Sequence, residues 1–206
     1  IIIMKKHKIC IVGGGLTGLI TALVLSEKGL DIDLILENIK SKNKDLRVTA
    51  ISDKNLVFLR SSIKNLNLKL FYPVKKINLY FEKNKMIKNF LNFEENKNLM
   101  IFFENKLIKD HFARLLKKTN IKVLKKTIKS VNLAENKVFT INSSKAYDLI
   151  ILCMGSNSPI YQKVNGNREI IKNYQEHSIT CMVKHHIKNI GAKQYFLREG
   201  PLAVLP

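Results

Sequence analysis

The sequence is poor in arginine, in acidic residues and in cysteine, and it contains no long apolar run. The three cysteines, Cys10, Cys153 and Cys181, are odd in number, widely spaced and without a Cys-x-x-Cys pair. That spacing argues against a disulfide framework. Cys10 and Cys153 fall in apolar strand-like runs, where a thiol behaves as a small hydrophobe. No apolar stretch approaches the ~18 residues of a membrane-spanning helix. The run "LITALVL" is interrupted by Thr21 and bounded by Ser26, Glu27 and Lys28. The N-terminal apolar run is too short for a secretory signal. The expectation is a soluble, cytoplasmic chain.

Sixteen acidic residues against 36 basic ones leave a formal net charge of +20. Lysine outnumbers arginine 31 to 5, and isoleucine and asparagine are abundant too. An AT-rich genome writes that trio at tolerant positions. The lysines are spread along the chain rather than gathered with stacking aromatics, so nucleic acid is not expected as a partner. Dispersed charge marks a solvated surface, although it would favour an anionic membrane by ~1 kcal/mol per nearby lysine. The 46% hydrophobic content is ample for a core. The chain begins "IIIMKK" and stops inside the apolar "PLAVLP". It reads as the N-terminal part of a longer protein, because neither end is polar and fraying.

What is present is a strand, a glycine turn and a helix in immediate succession. Lys8 to Val12 reads as a buried strand, and Gly13, Gly14 and Gly15 make a tight turn. Gly13, Gly15 and Gly18 form G-x-G-x-x-G, which serves the sharp turn, close approach to a pyrophosphate and helix-on-strand packing. The helix start supplies free N–H groups and a positive dipole end. Leu16, Leu19, Ile20, Leu23 and Val24 keep helical spacing, with Gly29 as the expected C-cap. A second strand, Ile32 to Leu36, ends on Glu37, about twenty residues past the glycines as the fingerprint requires. A carboxylate there binds ribose hydroxyls and repels a 2′-phosphate. The motif therefore favours FAD or NAD over NADP, without separating the first two.

After a lysine-rich connector, "LRVTAISDKNLVFLRSS" carries Arg47 and then an amphipathic helix on Leu56, Leu59 and Ile63. Arg47 suits a bidentate pyrophosphate contact or an ordinary surface ion pair. "VKKINLYFE", "KNK" and "MIKNFLNFE" read as a β-hairpin. "LMIFFENKLIKDHFARLLKKT" passes from strand to helix, with Leu107, Ile108, Phe112, Leu115 and Leu116 on one face. A meander and a last buried strand from Asp148 to Cys153 follow. From Tyr174 the pattern suggests further strands with a turn at Asn189 to Gly191. The adjacent His185 and His186 would face opposite sides of a strand and lack a partner at metal-site spacing, so no metal is expected. A β-rich segment thus interrupts the α/β unit, where a nicotinamide dehydrogenase would keep alternating strand and helix.

Six stretches in this order resemble the FAD-dependent hydroxylases of ubiquinone biosynthesis, within the flavoprotein monooxygenases related to p-hydroxybenzoate hydroxylase. They are "VGGGLTGLITALVLSEKGLDIDLILE", "DLRVTAIS", "FFENKLIKDHFARLL", "YDLIILCMGSNS", "NYQEHSI" and "YFLREGPLAVLP". The resemblance spans nearly all of the chain. It implies an α/β (α+β) fold: a Rossmann-like FAD-binding domain (1–73 and 101–160) interrupted by a β-rich substrate domain (74–100 and 161–206), cut short at the C-terminus.

The resemblance also implies the site. Gly13, Gly14, Gly15 and Gly18 would hold the FAD pyrophosphate and Glu37 the ribose. Arg47 would contact the flavin, Glu104 would lie near the ribityl chain, and Gly155 would form the turn after the last buried strand. The class usually has Asp-Gly where this chain has Met154-Gly155, and it has a further Gly-Asp motif beyond Pro206. The implied activity is hydroxylation of a polyprenylated phenol by a C4a-hydroperoxyflavin, with NAD(P)H as reductant and O₂ as co-substrate. Peripheral attachment to the inner membrane face, or contact with other ubiquinone-pathway enzymes, would follow. No Ser, Cys or His nucleophile is required, and no catalytic side chain is assigned. Another FAD-dependent aromatic hydroxylase, an NAD-dependent dehydrogenase and an inactive truncated chain are the alternatives.

Overall fold

The computed structural model describes residues 7–36, 45–155, 158–165, 172, 175–184, 186 and 191–206. In chain order the first elements are β1 (Lys8–Val12), α1 (Leu16–Ser26) and β2 (Asp31–Leu36). Then come β3 (Val48–Ile51), α2 (Asp53–Ser62), β4 (Tyr72–Val74), β5 (Lys76–Lys83) and β6 (Met86–Glu94). β7 (Met100–Glu104) and α3 (Asn105–Leu116) precede β8 (Lys122–Lys125), β9 (Ile128–Asn132), β10 (Lys137–Thr140) and β11 (Ser144–Ala146). The last are β12 (Leu149–Leu152), α4 (Pro159–Asn165), β13 (Ala192–Leu197) and β14 (Gly200–Val204).

The chain divides into two compact units, Ile1–Asp45 with Ile108–Ile179, and Leu46–Leu107 with Thr180–Pro206. Residues 46–73 and 101–107 thereby group with β-rich segments by packing, whereas the sequence reading assigns them to the FAD domain by function. The two criteria ask different questions.

In the first unit, β12, β1, β2 and β8 form a parallel sheet in that order. Strands covered on both faces need apolar residues at every position rather than at alternate ones. Ile9, Cys10, Ile11 and Val12 are accordingly all buried, as are Ile32, Leu34, Ile35 and Leu36. α1 packs on β1 and β2 through Leu19, Ala22 and Leu23. On the opposite face, Cys10, Val12 and Ile35 form a core with Val138 and Tyr147 of the β9–β10–β11 meander. The expected buried strand from Asp148 to Cys153 is shorter, Leu149–Leu152, and only half-buried. Among the described residues it stands at the end of the strand order.

Asp33 breaks the apolar rule of β2 and is fully buried. Its Oδ2 accepts hydrogen bonds from Lys145 Nζ at 2.5 Å and from Tyr147 Oη at 2.9 Å. Burial alone would raise the Asp33 pKa, but these two donors outweigh it and hold the carboxyl below its ordinary value. Burial beside Asp33 pushes the Cys10 thiol up to about 12, which makes it an inert core residue.

In the second unit, β14, β13, β5 and β6 form one sheet and β3, β7 and β4 another. The hairpin β5–β6 is antiparallel, and Asn84 and Lys85 both have positive φ at its turn. β13 joins β5 in parallel, pairing Tyr195 with Tyr80, whose rings stack at 4.7 Å. α2 starts on Ser52, whose hydroxyl accepts from the Asn55 amide, and it buries Leu59.

Two expectations differ from the structure. α1 ends at Ser26 with Glu27 as its C-cap, and Gly29 takes the left-handed turn two residues later. Residues 175–184 form no strand, although their pattern suggested one. Strand structure resumes at Ala192, and Tyr174, His185, Asn189 and Ile190 lie outside the described residues. The expected turn at Asn189 to Gly191 thus falls largely outside the described residues, and a further turn, Arg198–Glu199, joins β13 to β14. The short helix α4 had no clear periodic signal in the sequence. Among the described residues no helix is long and apolar enough to cross a membrane, and no His, Cys, Asp and Glu cluster could hold a metal.

Candidate functional site

The C-terminal ends of all four parallel strands converge on one cavity of about 1040 Å³. Val12 lines it from β1, Ile35 and Leu36 from β2, Lys126 from just past β8, and Cys153 and Met154 from just past β12. Open parallel sheets bind ligands at this edge. Gly13, Gly14, Gly15, Thr17 and Gly155 complete the part nearest α1.

The glycine turn is dictated by space. Gly13 has φ +123°, which L side chains rarely adopt, and a Cβ there would collide with the carbonyl of Cys153. Its amide donates to Ile35 O at 2.9 Å, which ties the turn to β2. Gly18, one helical turn on, lies so close to the Gly13 carbonyl that a Cβ would overlap the oxygen. Gly15 is different, because a Cβ there would meet nothing within 4 Å and would project into open space. It is the N-cap of α1 and offers no side-chain cap, and the first turn holds no acidic residue. The first-turn N–H groups and the ~+0.5 dipole charge are thus left for an anion. A cradle with two walls closed to side chains and one open beside a helix start fits a dinucleotide pyrophosphate.

Met154 packs its side chain against the core of Val12 and Ile35 as well as lining the cavity. Its sulfur accepts a weak hydrogen bond from Ser158 Oγ at 3.6 Å. The position is therefore apolar packing, and Gly155 after it has φ +76°. Cys153 is half-buried, and burial raises its thiol pKa, which disfavours the thiolate.

Of the residues singled out in the sequence, Gly13, Gly14, Gly15 and Gly155 share this cavity, and Gly18 supports it from within α1. Glu37 lies outside the described residues. Arg47 and Glu104 belong to the second unit, where they meet at one end of the β3–β7 ladder. Val48 pairs with Glu104, and the Arg47 carbonyl accepts from the Asn105 amide at 3.0 Å. Thr49 Oγ1 donates to Asn105 Oδ1 at 2.6 Å and fixes the same corner. The lysines of the cavity, Lys109, Lys126, Lys129 and Lys163, had no signal in a sequence where lysine is everywhere.

Residues 6–62 match the family model of the FAD binding domain. No curated protein sequence matches the chain. Among solved structures it is similar to FqzB, at 15% identity and a TM-score of 0.65 over 78% of this chain and 38% of that one. A 2-methyl-3-hydroxypyridine-5-carboxylic acid oxygenase matches at 13% identity and a TM-score of 0.63, over 78% of this chain and 42% of the other. The 2,6-dihydroxypyridine-3-hydroxylase of Arthrobacter nicotinovorans matches at 14% identity and a TM-score of 0.61, over 79% and 40%. The chain thus spans about two fifths of the length of these proteins. At such identities the likeness establishes the fold alone, a mixed α/β architecture built on a parallel sheet.

Proposed function

We propose that this chain carries the FAD-binding portion of an aromatic-ring hydroxylase, and that the ring belongs to a polyprenylated phenol of ubiquinone biosynthesis. The observation that carries the reading is the FAD-domain match over residues 6–62, laid on a glycine cradle whose free space faces the cavity. Gly13, Gly14, Gly15 and Gly18 hold the pyrophosphate, Glu37 the ribose, and Gly155 the turn opposite them. Arg47 and Glu104 serve the flavin end. FAD, once reduced by NAD(P)H, supplies the oxygen-activating chemistry, and O₂ furnishes one atom to the ring and one to water. The protein's own task is to bind, orient and exclude water, and no side-chain nucleophile is needed.

The polyprenyl substrate is supported by the sequence resemblance, above all by "YFLREGPLAVLP", which forms β13 and β14. A prenyl tail lives in a membrane, so a charge of +20 supports peripheral attachment at the cytoplasmic face. A soluble hydroxypyridine-type ring is the second reading, favoured by the substrates in the names of two fold relatives. The test is product analysis with the flavin-loaded, full-length protein, NAD(P)H and O₂. One oxygen added to a short-chain prenylated phenol supports the proposal. Oxygenation of soluble hydroxypyridines alone selects the second reading, and NAD(P)H oxidation with no oxygenated product from either class of ring refutes both.

A further inference from the structure

We propose that Lys109, Lys126, Lys129 and Lys163 form a cationic collar that binds the phosphate charge of the ligand in the first unit's cavity. The inference rests on the reading that this cavity takes the ADP half of a dinucleotide.

The four lysines are scattered in sequence but line one cavity from separate elements: Lys109 from α3, Lys126 after β8, Lys129 from β9 and Lys163 from α4. Lys126 is held in place twice. Its amide donates to Leu36 O at 3.2 Å, at the end of β2, and its Nζ donates to Ser143 Oγ at 3.1 Å. Among the described residues of the lining there is no aspartate or glutamate. This differs from the sheet's opposite edge, where Asp31 at the start of β2 stands within 4 Å of Lys8 and Lys122. A helix N-terminus supplies only ~+0.5 charge, less than a pyrophosphate carries. With no carboxylate to compete among those lining residues, the surplus anionic charge falls to the lysines. Their flexible, strongly hydrated heads act as point charges, so they supply attraction rather than geometry. Salt screens such attraction over a Debye length of ~10 Å at 0.1 M.

The collar makes binding of any ADP-bearing ligand steeply dependent on salt, and it ranks FAD above riboflavin. The experiment is calorimetric titration of the whole protein with ADP and with FAD between ~0.05 and ~0.5 M salt. It compares wild type with a collar variant (Lys109→Met, Lys126→Met, Lys129→Met, Lys163→Met). The control carries the same charge change at exposed lysines outside this cavity's lining (Lys28→Met, Lys54→Met, Lys117→Met, Lys118→Met). The collar variant is expected to bind ADP roughly tenfold more weakly at low salt, with its salt slope at least halved. The control should follow wild type, and arginine at the four collar positions should restore the slope. Circular dichroism and the melting temperature establish that each variant is folded. Equal losses in collar and control variants overturn the proposal, as does an unchanged collar variant. ADP binding with the collar slope but no FAD binding would refute the FAD reading and leave the collar standing. FAD binding indifferent to the collar would do the reverse.

Discussion

Gly18 lies directly against the carbonyl oxygen of Gly13, with no room between them for a methyl group. That contact fixes how closely α1 approaches the end of β1, and so where the helix's N–H groups point. Gly15, three residues earlier in the same motif, faces open space. The two glycines therefore serve different ends, and substitution separates them. Gly18→Ala must push helix from strand and should destabilise the protein by roughly 1–3 kcal/mol, the usual penalty of overpacking. Gly15→Ala should melt within a degree or two of wild type, yet weaken nucleotide binding because its methyl occupies ligand space. Thermal melts paired with ADP calorimetry check both. Equal melting temperatures for the two variants would contradict the assignment.

The buried pair of Asp33 and Lys145 predicts an asymmetry. Lys145 keeps 43% of its side chain exposed, whereas Asp33 has none. Lys145→Met takes the cation from a buried carboxylate and leaves it the Tyr147 hydroxyl, and should cost about 3 kcal/mol. Asp33→Asn leaves a lysine free to turn to water and should cost about 1 kcal/mol. Denaturant melts of the two variants give the order, and a larger loss for Asp33→Asn would refute it.

The same pair sets a pH window. Asp33 has a folded pKa below its unfolded value of ~3.9. Its contribution is therefore complete above that value and is lost as pH falls through the folded pKa. For Lys145, burial is the largest single effect and lowers the pKa, but the hydrogen bond to Asp33 together with the negative charges of Asp33 and Asp31 outweighs it, so the folded value lies above the unfolded ~10.4. Its contribution is complete below ~10.4 and is lost as pH rises through the folded value. Stability should thus be level between about pH 5 and 9 from this pair, and the acid limb should flatten in Asp33→Asn. Urea midpoints across pH would detect it, and an unchanged acid limb would count against the network.

At the hairpin turn, Lys85 holds φ +61° and Asn84 φ +53°, the conformation for which Asn-Gly is preferred. Lys85→Gly should therefore stabilise the second unit by about 0.5–1 kcal/mol. A raised urea midpoint is the expected readout. A lowered one would mean that the lysine side chain makes a contact worth more than the strain.

What could be read from the sequence was what short-range rules govern. β1 from Lys8 to Val12, the glycine turn and the β5–β6 hairpin all follow from neighbours a few residues apart, and they stand where the pattern puts them. The misses have longer-range causes. Asp33, inside the strand from Ile32 to Leu36, draws no reading of its own, because its partners Lys145 and Tyr147 lie more than a hundred residues away. The half-burial of β12 depends on its place at the end of the sheet, and the parallel β5–β13 pairing joins segments over a hundred residues apart. The collar lysines were hidden by abundance, since only the fold tells four lysines from the other twenty-seven. Arg47 and Glu104 lie far apart in sequence, and the β3–β7 ladder brings them to one corner.

The central claim is that the cavity above Gly13–Gly15 is a flavin dinucleotide site. Calorimetric titration of the purified protein with FAD, NAD and ADP tests it most directly. The account predicts saturable one-to-one binding of FAD and ADP, weakened in Gly15→Ala, with NAD bound much less tightly. Binding of neither FAD nor ADP, or tight binding of NAD alone, would contradict it.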